Sequence, residues 1–183
     1  MKLVIASDIH GSAYYCKKLL SRYKEEKADK LILLGDLLYH GPRNDLPKEY
    51  APKEVIQMLN EIKAEILCVR GNCEAEVDQM VLEFPVLSDS MILYLDGRMV
   101  FATHGHLFHK EHLPQLKAGD ILLHGHTHVQ ALERVEGYYY MNPGSVSIPK
   151  NGNENSYMVY ENGIYTIKNL DGKEIDHISV IEE

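Results

Sequence analysis

Three nearly unbroken apolar runs, KLVIAS (2–7), KLILLG (30–35) and EILCVR (65–70), constrain the fold more than any other feature of the chain. Such runs leave no polar face for water, so each reads as a strand covered on both sides. Between them, SAYYCKKLLSRYKEEK (12–27) and PKEVIQMLNEIK (52–63) place apolar residues three and four apart, as at Leu19, Leu20 and Tyr23 or Val55, Ile56 and Leu59. That is the spacing of amphipathic helices. Strands alternating with helices imply a parallel arrangement with helical crossovers.

The second half follows a different rule. SMILYLDGRMVFATHG (90–105) is two strands around Asp96–Gly97, a strong short hairpin signal. ILLHGH (121–126) is another apolar run, and VQALERVEGYYYMNPGS (129–145), SYMVYENGIYTIKNL (156–170) and KEIDHISVIEE (173–183) read as antiparallel strands turning at Gly137, Asn162–Gly163 and Asp171–Gly172. We therefore expect an α/β sandwich of mixed sheets, mainly parallel in its N-terminal half and mainly antiparallel in its C-terminal half. The stretch LLYHGPRNDLPKEYAP (37–52), punctuated by Pro42, Pro47 and Pro52, is a long loop, and loops of that length are often functional.

With 183 residues, 45% of them hydrophobic, the chain has enough apolar surface for one core, and a single domain over residues 1–183 is expected. No apolar stretch approaches the roughly 18 residues of a membrane helix. The start, MKLVIASDIHG, lacks the long apolar segment and small-residue cleavage site of a signal peptide, which makes the cytoplasm the expected compartment. Cys16, Cys68 and Cys73 are odd in number and form no CxxC pair, so neither a disulfide framework nor a zinc ribbon is suggested. A net charge of −8 argues against stable nucleic-acid binding, which needs clustered Lys and Arg. A phosphate-bearing ligand would need positive charge from another source.

The polar residues are not scattered. SDIHG follows the first apolar run, GDLLYHG the second and RGNCE the third; THGH and HGHTH follow two later ones. In open α/β sheets, sites form beyond the carboxyl ends of strands, where residues distant in sequence converge. Asp8, His10, Asp36, Asn72, His104, His126 and His128 are thus expected at one rim. Carboxylate, amide and imidazole donors suit Mn, Fe, Zn, Co or Ni, and their number exceeds the need of one ion. Taken singly, Asp36 reads first as a turn or helix cap, and Asn72 has the alternative of a left-handed turn residue.

In these residues the chain resembles the calcineurin-like metallophosphoesterase superfamily, whose pattern is D-x-H, G-D, G-N-H-[DE], H and G-H-x-H. Here the motifs are Asp8–His10, Gly35–Asp36, Gly71–Asn72–Cys73–Glu74, His104 and Gly125–His126–Thr127–His128, in the same order. GDLLYHGPRN and GNCEAEVDQM are similar to the YfcE-type bacterial phosphodiesterases within that superfamily. The resemblance implies a four-layered α/β/β/α sandwich of two mixed sheets. It also implies two divalent metal ions, Mn2+ foremost, with Asp8, His10 and His128 on one, Asn72, His104 and His126 on the other, and Asp36 bridging.

The implied activity is hydrolysis of a small phosphodiester through a hydroxide that bridges the two ions, with Asp36, Asn72, Cys73 and His104 at the reacting centre. Family relatives suggest a homodimer or homotetramer. A phosphomonoesterase or nucleotide phosphohydrolase is the alternative within the fold; an inactive scaffold, as in the retromer subunit, is the alternative outside enzymology. One position departs from the superfamily pattern: Cys73 stands where most members have the histidine assigned to the leaving oxygen. YfcE-type members share it. A thiol donates a weak hydrogen bond, or ionises beside cations, so leaving groups of low pKa are expected to react best.

His106 and His124 match no metal position and are expected to support the site or line its rim. His40, Arg43 and Asn44 could meet a phosphate or leaving group but read first as a solvated loop, and Tyr138–Tyr140 as strand surface or an interface. Asn142 and Ser145, in NPGS, read as turn chemistry supporting the site.

Overall fold

The computed structural model describes residues 1–181; the last two positions of the expected 173–183 strand lie outside the described residues. In chain order the elements are β1 (Lys2–Ala6), α1 (Ala13–Glu26), β2 (Lys30–Leu33), α2 (Pro52–Glu61), β3 (Ile66–Cys68), the single turn α3 (Glu76–Gln79), β4 (Ser90–Leu95), β5 (Arg98–Thr103), β6 (Asp120–Leu123), β7 (Gln130–Val135), β8 (Tyr138–Pro143), β9 (Ser156–Glu161), β10 (Ile164–Asn169) and β11 (Glu174–Ser179). They build two mixed sheets, one ordered β11-β10-β9-β1-β2-β3 and the other β4-β5-β6-β8-β7.

Local chemistry sets the boundaries. Ser12 caps α1, its Oγ accepting the Tyr15 N–H at 3.3 Å, and Lys27 closes the helix in the left-handed region at φ 53°. Pro52 opens α2, where its missing N–H costs nothing. Asp96–Gly97 and Asn162–Gly163 both have positive φ at the two central positions, the geometry that lets a two-residue turn follow strand twist.

In the first sheet β1, β2 and β3 are parallel, with Val4 opposite Leu31 and Ile32 opposite Leu67. Strand β9 joins β1 antiparallel, and the β9–β10–β11 meander extends that edge. In the second sheet the hairpins β4–β5 and β7–β8 are antiparallel, but β5, β6 and β8 are parallel neighbours. That parallel centre departs from the mainly antiparallel reading of this half; its physical reason is that every residue of β6 is buried, as in a strand covered on both faces.

One core lies between the first sheet and α1 and α2, joining Val4, Leu31 and Leu33 to Leu19, Tyr23, Val55 and Leu59. The other lies between the sheets, where Ile5, Ile32 and Met158 meet Val100, Ile121 and Met141. Full burial of such side chains contributes about 1.5–3 kcal/mol each. The outer face of the second sheet is covered by the β5–β6 connection, with Phe108 edge-on to Phe101 at 5.2 Å and the Lys110 ammonium over Tyr140. Pro114 and Gly119 interrupt that segment, and among the described residues it forms turns rather than a helix.

Candidate metal centre

The connections leaving β1, β2, β3, β5 and β6 meet at one rim. They are tied by main-chain hydrogen bonds that continue the sheet pairing beyond the strands. The N–H groups of Asp8, His10 and Gly11 donate to the carbonyls of Gly35, Asp36 and Leu37, and Gly125 N–H donates to His104 O. Space there is tight: a Cβ on Gly71 would lie 2.2 Å from Asp36 Oδ1, and one on Gly125 would lie 1.8 Å from Ser7 Oγ. Only glycine fits either place.

Five of the seven expected ligand residues occupy left-handed backbone: Asp8 (φ 60°), His10 (49°), Asp36 (57°), His126 (65°) and His128 (61°). Non-glycine residues rarely adopt this region, and such strain persists only where surrounding contacts over-determine it. Those contacts are visible. The Asp8 carbonyl accepts the hydroxyls of Ser145 and Ser147, and the Asn142 amide donates to Gly125 O and Thr127 Oγ1, clamping the turn that carries His126. The expected supporting role of Asn142 and Ser145 thus has a definite form.

All seven side chains converge. Asp8 Oδ1 lies 3.1 Å from His128 Nε2 and 3.5 Å from His10 Nε2, and the two imidazole nitrogens are 3.3 Å apart. Asp36 Oδ2 is 3.7 Å from His10 Nε2 and 3.4 Å from His104 Nε2, so it stands between two groups. On the far side, His104 Nε2 is 3.1 Å from Asn72 Oδ1 and 3.2 Å from His126 Nδ1. Asp8, His10, Asp36, His104 and His128 are buried.

The donor set fits cations. The Nδ1 atoms of His10, His104 and His128 face the carbonyls of Tyr39, Leu34 and Ile148 at 2.6–2.8 Å. A carbonyl only accepts, so each Nδ1 carries a proton and Nε2 is the atom each ring turns to the centre, bare whenever a cation replaces its proton. This is how proteins orient metal-binding histidines. Two bare nitrogens 3.3 Å apart repel, and Asp8 Oδ1 is buried without a hydrogen-bond donor. A shared cation removes both defects.

Electrostatics agree in sign. Burial pushes the Asp8 carboxyl up, but His10 and His128 outweigh it and hold the group well below the usual carboxylate range. For His104, burial pulls the imidazole down while Asp36 and Asp8 raise it to about 9. A positive charge is therefore favoured at its Nε2. Burial and the charge of His104 push His126 down to about 4, so that ring is a neutral donor.

Asp36 Oδ1 accepts the Cys73 N–H at 2.9 Å, and the Asn72 amide donates to Cys73 Sγ at 3.3 Å. Burial and the Asp36 carboxylate raise the Cys73 pKa, keeping a thiol where the superfamily has an imidazole. Glu74 received no role in the sequence reading. It is buried and accepts the N–H groups of Asp36, Leu37 and Gly71 at 2.8, 2.7 and 2.5 Å, tying the β2 connection to the β3 connection. Its place directly after G-N-C was the only signal.

The remaining histidines stand apart. His124 is buried against Tyr140 with Nδ1 on Gly125 O, and His106 packs 5.5 Å from the His104 ring. His40 is packed between Tyr39 and Tyr50. Arg43 and Asn44, by contrast, line a cavity of about 490 Å3 whose floor includes His10, Asp36, Asn72 and Cys73. The loop is part of the site.

Two mixed sheets with such a rim define a metallophosphoesterase. The chain belongs to the calcineurin-like phosphoesterase superfamily, whose domain matches residues 1–163. Among its relatives, phosphodiesterase YfcE of Escherichia coli K12 is 45% identical over 175 residues, 96% of this chain and 95% of the relative. Phosphodiesterase MJ0936 of Methanocaldococcus jannaschii is 25% identical over 192 residues and the full length of both. The solved structure of YfcE, a phosphoesterase from E. coli, superposes with a TM-score of 0.96 at 44% identity, covering 99% of this chain and all of that one. Zinc-bound Vps29 of Entamoeba histolytica, at 18% identity and a TM-score of 0.60 over 99% and 100% of the two chains, shares the fold alone.

Proposed function

We infer that the protein is a binuclear metal-dependent phosphodiesterase acting on a small diester. The observation that supports it most is the pairing of an unpartnered buried Asp8 Oδ1 with bare imidazole nitrogens around Asp36. Asp8, His10 and His128 would hold one divalent ion and Asn72, His104 and His126 the other, with Asp36 reaching both. Bound there, two such ions supply four positive charges and Lewis acidity toward a phosphoryl oxygen and a water. Mn2+ is the ion we favour from the family resemblance; the oxygen and imidazole donors suit Fe, Zn, Co or Ni as well.

The chain's own part is orientation. Backbone carbonyls fix the tautomers of His10, His104 and His128, so their lone pairs point inward without reorganisation. Glu74 fixes the backbone of Asp36. Cys73 Sγ lies in the cavity wall, where it would face a departing oxygen. No helix among the described residues is long and apolar enough to cross a membrane. The cytoplasm, one working unit of 1–183 and a homodimer or homotetramer complete the reading.

The test is turnover of bis-p-nitrophenyl phosphate against p-nitrophenyl phosphate with added Mn2+. The diester is expected to react faster, and Asp36→Asn to lose at least about 100-fold in kcat. Preference for the monoester would convert the assignment to a phosphomonoesterase, and no turnover of either would favour a scaffold.

A further inference from the structure

Arg43 and Lys150 enter the same cavity wall from different parts of the chain. Arg43 sits on a turn fastened by Asn44, whose amide donates to His40 O at 2.8 Å and whose N–H reaches Gly41 O. Lys150 is anchored through its main chain, its N–H donating to His128 O at 3.1 Å. Both ammonium and guanidinium are exposed. Lys2, Lys18, Lys63, Lys110 and Lys168 all pair with carboxylates. Arg43 and Lys150 have no such partner among the described residues, in a chain with 27 acids and 19 Lys and Arg.

Other lysines, such as Lys48 and Lys53, also lack a carboxylate partner among the described residues; what sets Arg43 and Lys150 apart is that they line the cavity over the metal centre, where an anionic ligand would meet them. The reacting phosphate does not need them. Four charges from two divalent ions are already balanced by Asp8, Asp36, a bridging hydroxide and the single charge of a diester, so that centre needs no further cation. We propose that Arg43 and Lys150 recognise a second anionic group, a phosphate or phosphonate, on one arm of the substrate, and so set specificity. The proposal rests on the phosphodiesterase reading and adds the charge of the preferred substrate.

The test uses two p-nitrophenyl phosphodiesters with one leaving group and different second arms, n-propyl and 3-phosphonopropyl, on the Mn2+-loaded protein. The expected preference for the phosphonopropyl ester in kcat/KM is at least about tenfold at low salt, shrinking as ionic strength rises. Arg43→Gln and Lys150→Gln each reduce that ratio several-fold, and both side chains are exposed, so the fold tolerates them. Lys150→Glu shifts preference toward a 3-ammoniopropyl arm. Calorimetry adds a readout independent of turnover: propane-1,3-diphosphonate should bind at least about tenfold tighter than propylphosphonate, and the difference should disappear in the double variant.

Equal rates on the two esters, an unchanged ratio in the variants, or equal losses on both esters would overturn the proposal. If neither ester turns over, the phosphodiesterase reading fails, and the two phosphonates still decide: equal binding overturns the anion pair.

Discussion

Glu74 and Asp36 are joined through the main chain: the Glu74 carboxylate accepts the Asp36 N–H at 2.8 Å while Asp36 holds left-handed backbone at φ 57°. Replacing the carboxylate by an amide turns one acceptor into a donor facing buried N–H groups. Glu74→Gln is therefore expected to destabilise by about 2–3 kcal/mol in urea melts. It should also lower kcat by about 10–100-fold, as loss of an orienting partner does. Asp36 would be intact but misplaced, so excess Mn2+ should restore part of the rate. A variant with wild-type stability and rate would remove Glu74 from the site.

Chelation should destabilise the fold itself. Without cations, Asp8 Oδ1 and the facing nitrogens of His10 and His128 are a buried cost. Mn2+ at about 100 times its Kd should then add about 2.7 kcal/mol per independent site, seen as a rise in thermal midpoint over the EDTA-treated protein. The Asp8→Asn variant should respond less.

Cys73 sets the dependence on leaving group. Its thiol is a poor proton donor, with its pKa raised by burial and by Asp36. Across substituted phenyl phosphodiesters the rate should fall steeply as leaving-group pKa rises. Cys73→His should flatten that slope. An unchanged slope would mean that Cys73 does not meet the leaving oxygen.

Glu26 gives the fold an acid limit far from the site. Burial pushes its carboxyl up, but Lys168, Lys2 and Tyr157 outweigh burial and lower it from 4.5 to about 2. The folded-state value is depressed, so its contribution is complete above about pH 4.5 and is lost as pH falls toward 2. Allowing for partial solvent screening, Glu26→Gln should cost about 1–2 kcal/mol at pH 7 and roughly half that at pH 3. Urea midpoints at both values check this, and a pH-independent difference would contradict it.

The strands and the rim were legible because they are local patterns. The β-runs, both main helices, the Asp96–Gly97 and Asn162–Gly163 turns, and the order of polar residues at strand ends all follow from neighbours in sequence. What escaped depends on contacts between distant segments. Glu74 looks like any surface acid until the fold buries it over three N–H groups. Arg43 looks like loop solvent until its turn meets Cys73, whose sulfur would lie 3.7 Å from a Cβ on Gly41. His40, read as solvated loop, instead packs between Tyr39 and Tyr50, and His124, read as supporting or rim, is buried against Tyr140.

The most direct measurement is Mn2+ stoichiometry with electron paramagnetic resonance on the wild type and Asp36→Asn. Two ions per chain with a spin-coupled signal, reduced to uncoupled or single occupancy in the variant, is the predicted result. One uncoupled ion per chain in the wild type, or none, would contradict the binuclear centre.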